Sequence, residues 1–331
     1  MDDGVALVGR AWFSEVIDLT ADLSVLDSSG TWVLVIPFAG KPVCARFASV
    51  HRTAPVPAHA WCGPPRDSWQ SSLDRPSFGL AVAAIRDSIA AGDVYQVNLC
   101  RVLSAPVTGE VDPVALGAVL AQGNPAPHAA IVHLPQVGLS LASASPELFL
   151  RRRGDVVESA PIKGTAVRAD QLSAKDRAEN VMIVDLVRND LGRVCEYGSV
   201  AVPELCSEEP HPGLCHLVSR ITGRLRRDVG WPELIAATFP PGSVTGAPKL
   251  AALQIIDRLE PAERGPYCGA IGWVDADRSV GELNVAIRTF WSDGGHLRFG
   301  TGGAVTWGST ETGEWEETEL KARHLLRLAS H

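Results

Sequence analysis

The 331-residue chain lacks several features that mark whole classes of protein. It has no basic run longer than Arg151–Arg153 and a formal net charge of −8, so the basic stripe of a nucleic-acid-binding protein is missing. Its first residues include two acids and no positive segment followed by an apolar one, which argues against a secretory signal. No apolar run approaches the ~20 residues of a membrane span. We therefore expect a cytoplasmic protein that binds neither nucleic acid nor membrane.

The cysteines lack the patterns of disulfide frameworks and zinc sites. There are seven of them, an odd number, and no C-x-x-C pair occurs. This pattern favours reduced thiols and gives no support for a disulfide framework or a zinc ribbon. Apolar residues make up 46% of the chain and charged residues 21%, which is typical of a globular protein with a large core.

The order of the segments predicts an α+β fold. Residues 1–52 have the alternation and turn residues of short strands, and a loop with five prolines follows. Apolar residues at helical spacing begin at Phe78, and helices then alternate with pairs of strands to the end of the chain. We expect a short N-terminal part, residues 1–75, packed on a main body formed by residues 76–331.

Two helical segments each carry a pair of acids three residues apart. Asp176 and Glu179 form one pair, and Glu314 and Glu317 form the other. Residues at i and i+3 share a helix face, and a solvated acidic face is the simpler interpretation of either pair alone. If both pairs met, however, their repulsion would favour a hard divalent cation with oxygen ligands, Mg²⁺ in particular.

Glycine-rich turns and isolated cations suggest an anionic ligand. The stretch "FPPGSVTGAPK" lacks the Walker spacing for ATP, and "FGTGGAVTW" could form a backbone nest for a carboxylate, although both could be plain turns. Arg288 lies in an apolar stretch, where it requires either a buried salt bridge or an anionic ligand. His216 could be a core histidine or a proton-transfer group. These residues alone suggest a metal-assisted enzyme acting on a small carboxylate.

Nine motifs in order carry a resemblance to a known family. The chain resembles the chorismate-utilising enzymes over residues 75–328, most closely the members that aminate chorismate. The motifs are "GDVYQVNL", "SASPELFL", "PIKGT", "AENVMIVDLVRNDLGRV", "HLVSR", "FPPGSVTGAPK", "CGAIG", "AIRT" and "EWEETELKA". Relatives usually have a longer N-terminal region, which leaves open whether an amino-acid-binding regulatory pocket exists here.

The resemblance implies a fold and a set of site residues. The fold would be α+β, with two orthogonally packed antiparallel β-sheets and helices outside. Mg²⁺ would be bound by Glu179 and Glu317, assisted by Asp176 and Glu314. The substrate-binding residues would be Gly164, Thr165 and Lys321 near the ring carboxylate, Arg288, Tyr267, Gly302 and Gly303 near the pyruvyl carboxylate, and Lys249 in the surrounding positive field. Ala304 replaces a third glycine of many relatives, which should cost little if its φ stays negative.

The resemblance also implies the chemistry. Glu147 would protonate the leaving C4 hydroxyl, and burial is the usual way to keep such a carboxyl protonated. His216 would contact the substrate near this leaving group. Isochorismate and salicylate synthases have a water-activating lysine at the position of Gln96. Since a glutamine cannot act as a general base at neutral pH, Gln96 favours ammonia over water as the nucleophile.

Lys163 separates the two kinds of aminating enzyme. Anthranilate synthases usually read P-I-A-G-T where this chain has "PIKGT". Lys163 would therefore be a nucleophile that attacks the ring and is then displaced by ammonia, although a simple carboxylate clamp is the alternative. An unperturbed lysine is neutral in about one molecule in 10³ at pH 7, which costs about 4.6 kcal/mol. Burial and a nearby Mg²⁺ should recover part of this cost.

The resemblance thus implies conversion of chorismate and ammonia to 4-amino-4-deoxychorismate, toward 4-aminobenzoate and folate. No cysteine nucleophile with a matching His/Glu array is visible, so the ammonia would come from a glutamine amidotransferase subunit. The alternatives are an anthranilate synthase component I, an aminating enzyme of secondary metabolism, and a catalytically silent chorismate-binding subunit. The acids Glu147, Glu179 and Glu317 are all present, which argues against the silent subunit.

Overall fold

The computed structural model describes residues 4–52, 59–166, 174–211 and 214–331. Within these ranges the helices are α1 (Arg75–Ala90), α2 (Pro113–Gly123), α3 (Ala174–Gly192), α4 (Trp231–Thr238), α5 (Lys249–Leu259) and α6 (Glu311–Ala329). The strands are β1 (Val5–Val8), β2 (Ala11–Thr20), β3 (Thr31–Ile36), β4 (Val43–His51), β5 (Gln70–Ser71), β6 (Gln96–Pro106), β7 (His128–Leu134), β8 (Leu139–Ser145), β9 (Leu148–Arg153), β10 (Val156–Ala160), β11 (Ile162–Ala166), β12 (Ala201–His211), β13 (Leu214–Arg224), β14 (Gly246–Ala247), β15 (Ala270–Asp275), β16 (Val280–Val285), β17 (Thr289–Asp293) and β18 (His296–Val305). None of these helices is long and apolar enough to cross a membrane.

All pairings between these strands are antiparallel, and they define two sheets. The first sheet has the order β6-β18-β17-β8-β7-β1, with the short strands β5 and β14 on β6. The second sheet has the order β4-β3-β15-β16-β9-β10-β13-β12, with β11 also on β13. Strand β2 pairs with β1 and with β4, so it joins the sheets into one network. The predicted α+β class with antiparallel sheets is confirmed.

The main core lies between the two sheets, and residues of α3 and α4 belong to it. One apolar cluster includes Leu141 of the first sheet and Leu150 of the second. A second cluster packs α1 and α5 against β6, and a third packs α2 and α6 against the first sheet. Strand β6 therefore has apolar neighbours on both faces, which explains why all its residues up to Leu103 are buried.

The N-terminal strands are part of both sheets. Strand β1 pairs with β7, and β3 pairs with β15, so residues 5–36 contribute to the same network as the main body. The division at residues 75 and 76 stays a prediction. These pairings show that the N-terminal part contributes strands to both sheets and does not only pack against the main body.

Helix starts follow capping chemistry, with some departures from the predicted bounds. Asp74 caps α1 by accepting a hydrogen bond from the Ser77 N–H at 2.8 Å, as an N-cap aspartate does. The stretch "EETELKARHLLRLA" predicts a last helix over residues 316–329, and α6 begins five residues earlier, because Thr310 accepts a hydrogen bond from the Gly313 N–H at 3.1 Å. The spacing of Ser173 and Asp176 resembles a capping box before α3, but Ser173 lies outside the described residues.

Two short segments carry the chain from one sheet to the other. Residues 146–147 lead from β8 to β9, and residues 286–288 lead from β16 back to β17. These crossing segments are hydrogen-bonded to the neighbouring strands. The Val285 N–H donates to the Glu147 carbonyl and the Ala144 N–H donates to the Arg288 carbonyl, both at 3.0 Å. The fold therefore brings Glu147 and Arg288 to the line where the two sheets meet.

Candidate active site

Glu147 is a buried carboxyl on the first crossing segment. The residue is only 3% exposed, and its N–H donates to the Ser145 hydroxyl at 3.2 Å. Burial raises the pKa of Glu147 to about 7, although the nearby Ser243 hydroxyl, the Lys163 ammonium and the Ile162 N–H all act to lower it. A carboxyl with this pKa can hold a proton at neutral pH and donate it, as a general acid must.

Arg288 lies on the second crossing segment, outside any strand, although the stretch "ELNVAIRTF" around it has the apolar residues of a strand. Its backbone has a φ of +53°, a conformation that a residue with a side chain adopts only at a cost. Burial lowers the pKa of Arg288, and no acidic side chain among the described residues opposes this effect. Throughout the described ranges, its guanidinium has no hydrogen bond or ion pair. This argues against a buried salt bridge and favours an anionic ligand.

Lys163 lies in β11, partly buried, next to a bulge. Strand β11 pairs with β13 through Lys163↔Leu217 and then Thr165↔His216, so Gly164 is an extra residue in the ladder. Gly164 has a φ of +75°, which glycine adopts without a side-chain clash. The bulge changes the direction of the strand directly after Lys163.

The electrostatic surroundings of Lys163 bring together residues from distant parts of the sequence. Burial lowers the pKa of the Lys163 amine, and the Lys321 ammonium acts in the same direction. The carboxylates of Glu179, Glu147 and Glu317 oppose this effect, with Glu179 contributing most. Helix α3, helix α6, a crossing segment and β11 therefore converge around one amine.

Helix α6 presents its acid pair to β18 at Gly303. A β-carbon on Gly303 would lie 3.0 Å from Oε2 of Glu314 and 3.4 Å from Oε1 of Glu317, so a side chain here would crowd both carboxylates. Glu314 is 3% exposed and accepts a hydrogen bond from the Ser309 hydroxyl at 2.5 Å. Lys321 forms an ion pair with Glu317 at 2.6 Å. Gly303 thus permits the close approach of this strand to the two acids.

Gly302 directs its backbone toward Lys321. It lies opposite Cys100, whose N–H donates to Oε1 of Glu260 at 2.8 Å rather than to β18. Opposed residues of an antiparallel pair that exchange no hydrogen bonds point their polar groups away from each other. The Gly302 carbonyl accordingly faces away from β6 and accepts from Nζ of Lys321 at 3.0 Å, and the Gly302 N–H faces the same way. The next-but-one residue, Ala304, has no positive φ, as expected.

The acid pairs fit a hard metal ion by the chemistry of their atoms. All four predicted ligands offer carboxylate oxygens, which Mg²⁺ prefers to nitrogen or sulfur. Asp176 and Glu179 lie in α3, and Glu314 and Glu317 lie in α6. Glu179 and Glu317 both act on the Lys163 amine, which relates the two pairs in space. Across the described part of the chain, no three acidic, cysteine or histidine side chains are close enough to enclose an ion by themselves.

Gln96 is a fully buried amide among the predicted site residues. It is 0% exposed, and neither its amide nitrogen nor its amide oxygen has a hydrogen-bond partner among the residues described. Buried polar groups are normally paired, so an amide with both ends unpaired marks a place for water or a ligand. Because side chains alternate along β6, Gln96 shares its face with Asn98 and Cys100, toward the core between the sheets.

Two predicted substrate-binding residues have protein partners in the structure. Lys249 forms an ion pair with Oδ2 of Asp190 at 2.6 Å and donates to the Thr238 carbonyl at 2.8 Å. Tyr267 is buried, its ring would touch a β-carbon on Gly300, and its hydroxyl lies 3.9 Å from Sγ of Cys100. Their roles toward a substrate stay predictions.

Two predicted site residues have side chains that the structure does not describe, and two residues beside Glu147 were not predicted. The side chains of Thr165 and His216 lie outside the described residues. Asp190 and Ser243 were not predicted, yet both line a small cavity of about 10 Å³ beside Glu147. Asp190 belongs to "VRNDLGR" and Ser243 to "FPPGSVTGAPK", so both stood within motifs that the sequence offered.

The fold and this arrangement of acids define a chorismate-binding enzyme. The sequence profile of the chorismate binding enzyme family matches residues 45–327, and the chain belongs to this family. The match begins 47 residues before the first of the nine motifs, which starts at Gly92, so it includes most of β4 in the N-terminal part.

Individual relatives agree with the family. The chain is 39% identical over 316 residues to aminodeoxychorismate synthase component 1 of Klebsiella aerogenes, covering 89% of this chain and 68% of the relative. It is 40% identical over 273 residues to an anthranilate synthase component 1 of Haloarcula marismortui, covering 78% and 54%. The structure of MenF, the menaquinone-specific isochorismate synthase from Escherichia coli, superposes with a TM-score of 0.82 at 18% identity, covering 99% of this chain and 88% of that one, and supports the fold alone.

Proposed function

We propose that the chain aminates chorismate at C4, using ammonia and Mg²⁺, to give 4-amino-4-deoxychorismate. The observation that carries this proposal is the environment of Lys163. Its amine is partly buried and lies under the influence of Glu147, Glu179 and Glu317. The similarity to the Klebsiella component 1 protein supports the same reaction. The chain spans 68% of the length of that relative and 54% of the length of the Haloarcula protein. The activity and the partners of this chain are therefore part of the proposal.

Substrate binding would use the two kinds of charge that the site provides. Arg288, which has no anionic partner in the described ranges, would bind the pyruvyl carboxylate together with the Gly302 N–H. Glu179 and Glu317 would hold Mg²⁺, with Asp176 and Glu314 assisting, and the ion would neutralise the ring carboxylate. Lys321 would remain beside this carboxylate. Such fixed charges orient the diacid before any bond breaks.

The covalent steps use two protein groups, the amine of Lys163 and the carboxyl of Glu147. The neutral Lys163 nitrogen forms a bond to the ring while the C4–O bond breaks, and the proton of Glu147 leaves with the hydroxyl as water. Ammonia then forms a bond to C4 while the Lys163–carbon bond breaks and returns its electron pair to the amine. The new ammonium group gives one proton back to Glu147. Burial raises the pKa of Glu147 to about 7 and lowers the pKa of Lys163, and both shifts favour the protonated acid and the neutral amine that these steps use.

Ammonia would be supplied by a glutamine amidotransferase subunit. The Klebsiella relative is named component 1, and a first component implies a second. The chain alone should then use ammonium salts and fail to use glutamine. The thiols of Cys44, Cys62, Cys100, Cys195, Cys206 and Cys268 are all free, which suits a reducing compartment such as the cytoplasm.

The decisive experiment is product analysis with a lysine variant. Chorismate, Mg²⁺ and ammonium are incubated with the wild-type chain, with Lys163→Ala and with Lys41→Ala, an exposed lysine far along the sequence. Chromatography should show 4-amino-4-deoxychorismate from the wild type and Lys41→Ala, and almost none from Lys163→Ala. Anthranilate or isochorismate as the product would overturn the proposed reaction. Unchanged output from Lys163→Ala would remove the covalent step while leaving the amination intact.

A further inference from the structure

A buried asparagine lies beside the proposed metal ligand Glu179. Asn180 is 0% exposed and belongs to the part of α3 that packs against β13. Its neighbours along the helix include the core residues Ile183 and Val184. An amide in such a place costs free energy unless its hydrogen bonds are made. The bonds of Asn180 therefore need an explanation.

Both ends of the Asn180 amide bind the neighbouring strands. Its nitrogen donates to the Leu217 carbonyl of β13 at 3.3 Å. Its oxygen accepts a short hydrogen bond from the Ser219 hydroxyl and a weaker one from Sγ of Cys206 at 3.5 Å. The Ser219 hydroxyl in turn accepts from the Cys206 N–H at 2.8 Å. One side chain thus ties α3 to β13 and to β12.

The bonded part of β13 is the part that holds Lys163. Leu217, whose carbonyl Asn180 binds, is the residue paired with Lys163 in β11. The Ser219 N–H donates to the Pro161 carbonyl at 3.2 Å, directly before β11. Ser219 therefore binds α3 through its hydroxyl and the residue before β11 through its N–H.

The backbone of β12 is distorted at the same point. The register of β12 against β13 shifts between Glu204 and Ser207, and Cys206 has a φ of +53°. This conformation brings both the N–H and the thiol of Cys206 to the Asn180–Ser219 pair. Strain of this kind persists only where the surroundings maintain it.

We propose that Asn180, acting with Ser219, is a positioning residue that fixes the separation between Glu179 and Lys163. The inference rests on the proposed roles of these two residues. Glu179 is adjacent to Asn180 in α3, and Lys163 is opposite the residue that Asn180 binds. Of the carboxylates around Lys163, Glu179 acts on it most strongly. Because partners that orient a metal ligand change metal affinity about 10–100-fold, loss of the Asn180 bonds should weaken metal binding without removing any ligand.

The test compares Asn180→Leu, which keeps the side-chain volume and loses both amide groups, with Ser219→Ala, a milder loss. Hydrogen exchange followed by mass spectrometry should show about tenfold faster exchange in β11 and the first half of α3 together. The affinity for Mn²⁺, used as a probe for Mg²⁺ and measured from the free Mn²⁺ signal in electron paramagnetic resonance, should fall about 10–100-fold. If Asn180→Leu does not fold, Ser219→Ala decides with the same two measurements.

The matched control is Asn284→Leu. Asn284 is another buried asparagine with two backbone hydrogen bonds, to the His128 carbonyl at 2.7 Å and from the Ile271 N–H at 3.3 Å. The Asn284→Leu variant should unfold at a lower temperature than the wild type and keep the Mn²⁺ affinity of the wild type. The proposal is overturned if exchange in β11 stays unchanged in Asn180→Leu and Ser219→Ala. Exchange does not depend on catalysis, so it tests the positioning even if the wild type makes no amination product.

Discussion

Two arginines, Arg264 and Arg288, differ in their partners. Arg264 is 2% exposed, and Glu260 binds it at 2.6 and 2.8 Å. The carbonyls of Val244 and Asn98 accept from it at 2.8 and 3.0 Å, and the ring of Phe38 lies 4.3 Å from its guanidinium carbon. Arg288, in contrast, makes no hydrogen bond or ion pair to any described residue.

The difference indicates that Arg264 stabilises the fold, whereas Arg288 is available to bind a ligand. The cost of burying Arg264 is offset within the chain, because its N–H groups bind Glu260 and two carbonyls and the ring of Phe38 covers one face. The cost of burying Arg288 is not offset in this way, and its backbone adds strain. A protein retains such a residue for what it binds. The comparison therefore predicts opposite responses to the same substitution.

The largest effect on stability should follow from Arg264→Met. The variant leaves Glu260 buried without its cation, and breaking a buried ion pair in this way costs about 3–5 kcal/mol of the free energy of unfolding. Equilibrium unfolding in urea measures the loss. The control is Arg278→Met, which removes an 80%-exposed partner of Asp275 and should cost under about 1 kcal/mol. A similar small loss for both variants would mean that the partners of Arg264 do not stabilise the fold.

Arg288→Met should affect activity and spare stability. Removing the cation leaves a buried carboxylate of the substrate without its partner, which costs about 2–4 kcal/mol, or roughly 30- to 1000-fold in kcat/KM for chorismate. The free energy of unfolding should stay the same or rise, because a strained and unpaired cation is removed. Steady-state kinetics and urea unfolding of the same preparation test both parts. A loss of stability as large as that of Arg264→Met would contradict the distinction.

The sequence predicts the local parts of this fold well. The helical spacing of Phe78, Val82 and Ile85 indicated α1, and all three residues are buried on one face. The strand character of β6 was also visible, but its two buried faces were not. The alternation of Val97 and Leu99 with Gln96, Asn98 and Cys100 predicted two distinct faces, whereas both faces of this part of β6 are buried. Which face a strand exposes depends on segments far away in the sequence.

The site was predictable where the residue type itself is unusual. Arg288 and Lys163 were identified as cations among apolar neighbours, and the acid pairs were identified by their spacing. Asn180 and Ser243 did not, because a single amide or hydroxyl in a helix or turn has no pattern of its own. Their importance follows from distances to β13 and to Glu147 that no local spacing encodes.

The third variant extends the comparison to acids. Glu147→Gln should raise stability at high pH, because the carboxyl is buried and its pKa of about 7 is above the unfolded value of 4.5. The contribution of the protonated carboxyl is complete below pH 4.5 and is lost as the pH rises through about 7. The gain should thus be small at pH 5 and reach up to about 3 kcal/mol at pH 8, since each pKa unit corresponds to about 1.4 kcal/mol.

Urea unfolding between pH 5 and pH 8 measures this gain. The control is the exposed Glu263, whose change to Gln should leave the pH dependence as it is. The activity of the wild type should fall as the pH rises through about 7, since the acid loses its proton. A Glu147→Gln variant whose stability relative to the wild type does not depend on pH would contradict the buried, protonated state.

The smallest effect concerns two amides on one face of β6. Asn98 donates to the Ser243 carbonyl at 3.0 Å, whereas both amide atoms of Gln96 are unpaired within the described structure. Gln96→Leu should therefore raise the free energy of unfolding by about 1 kcal/mol, because an unsatisfied buried group is costly. Asn98→Leu should lower it by about 1 kcal/mol, because it leaves a carbonyl without its donor. If Gln96→Leu instead destabilises the protein, its amide is paired in solution by bound water, and the contrast between paired and unpaired groups would hold for Arg288 but not for β6.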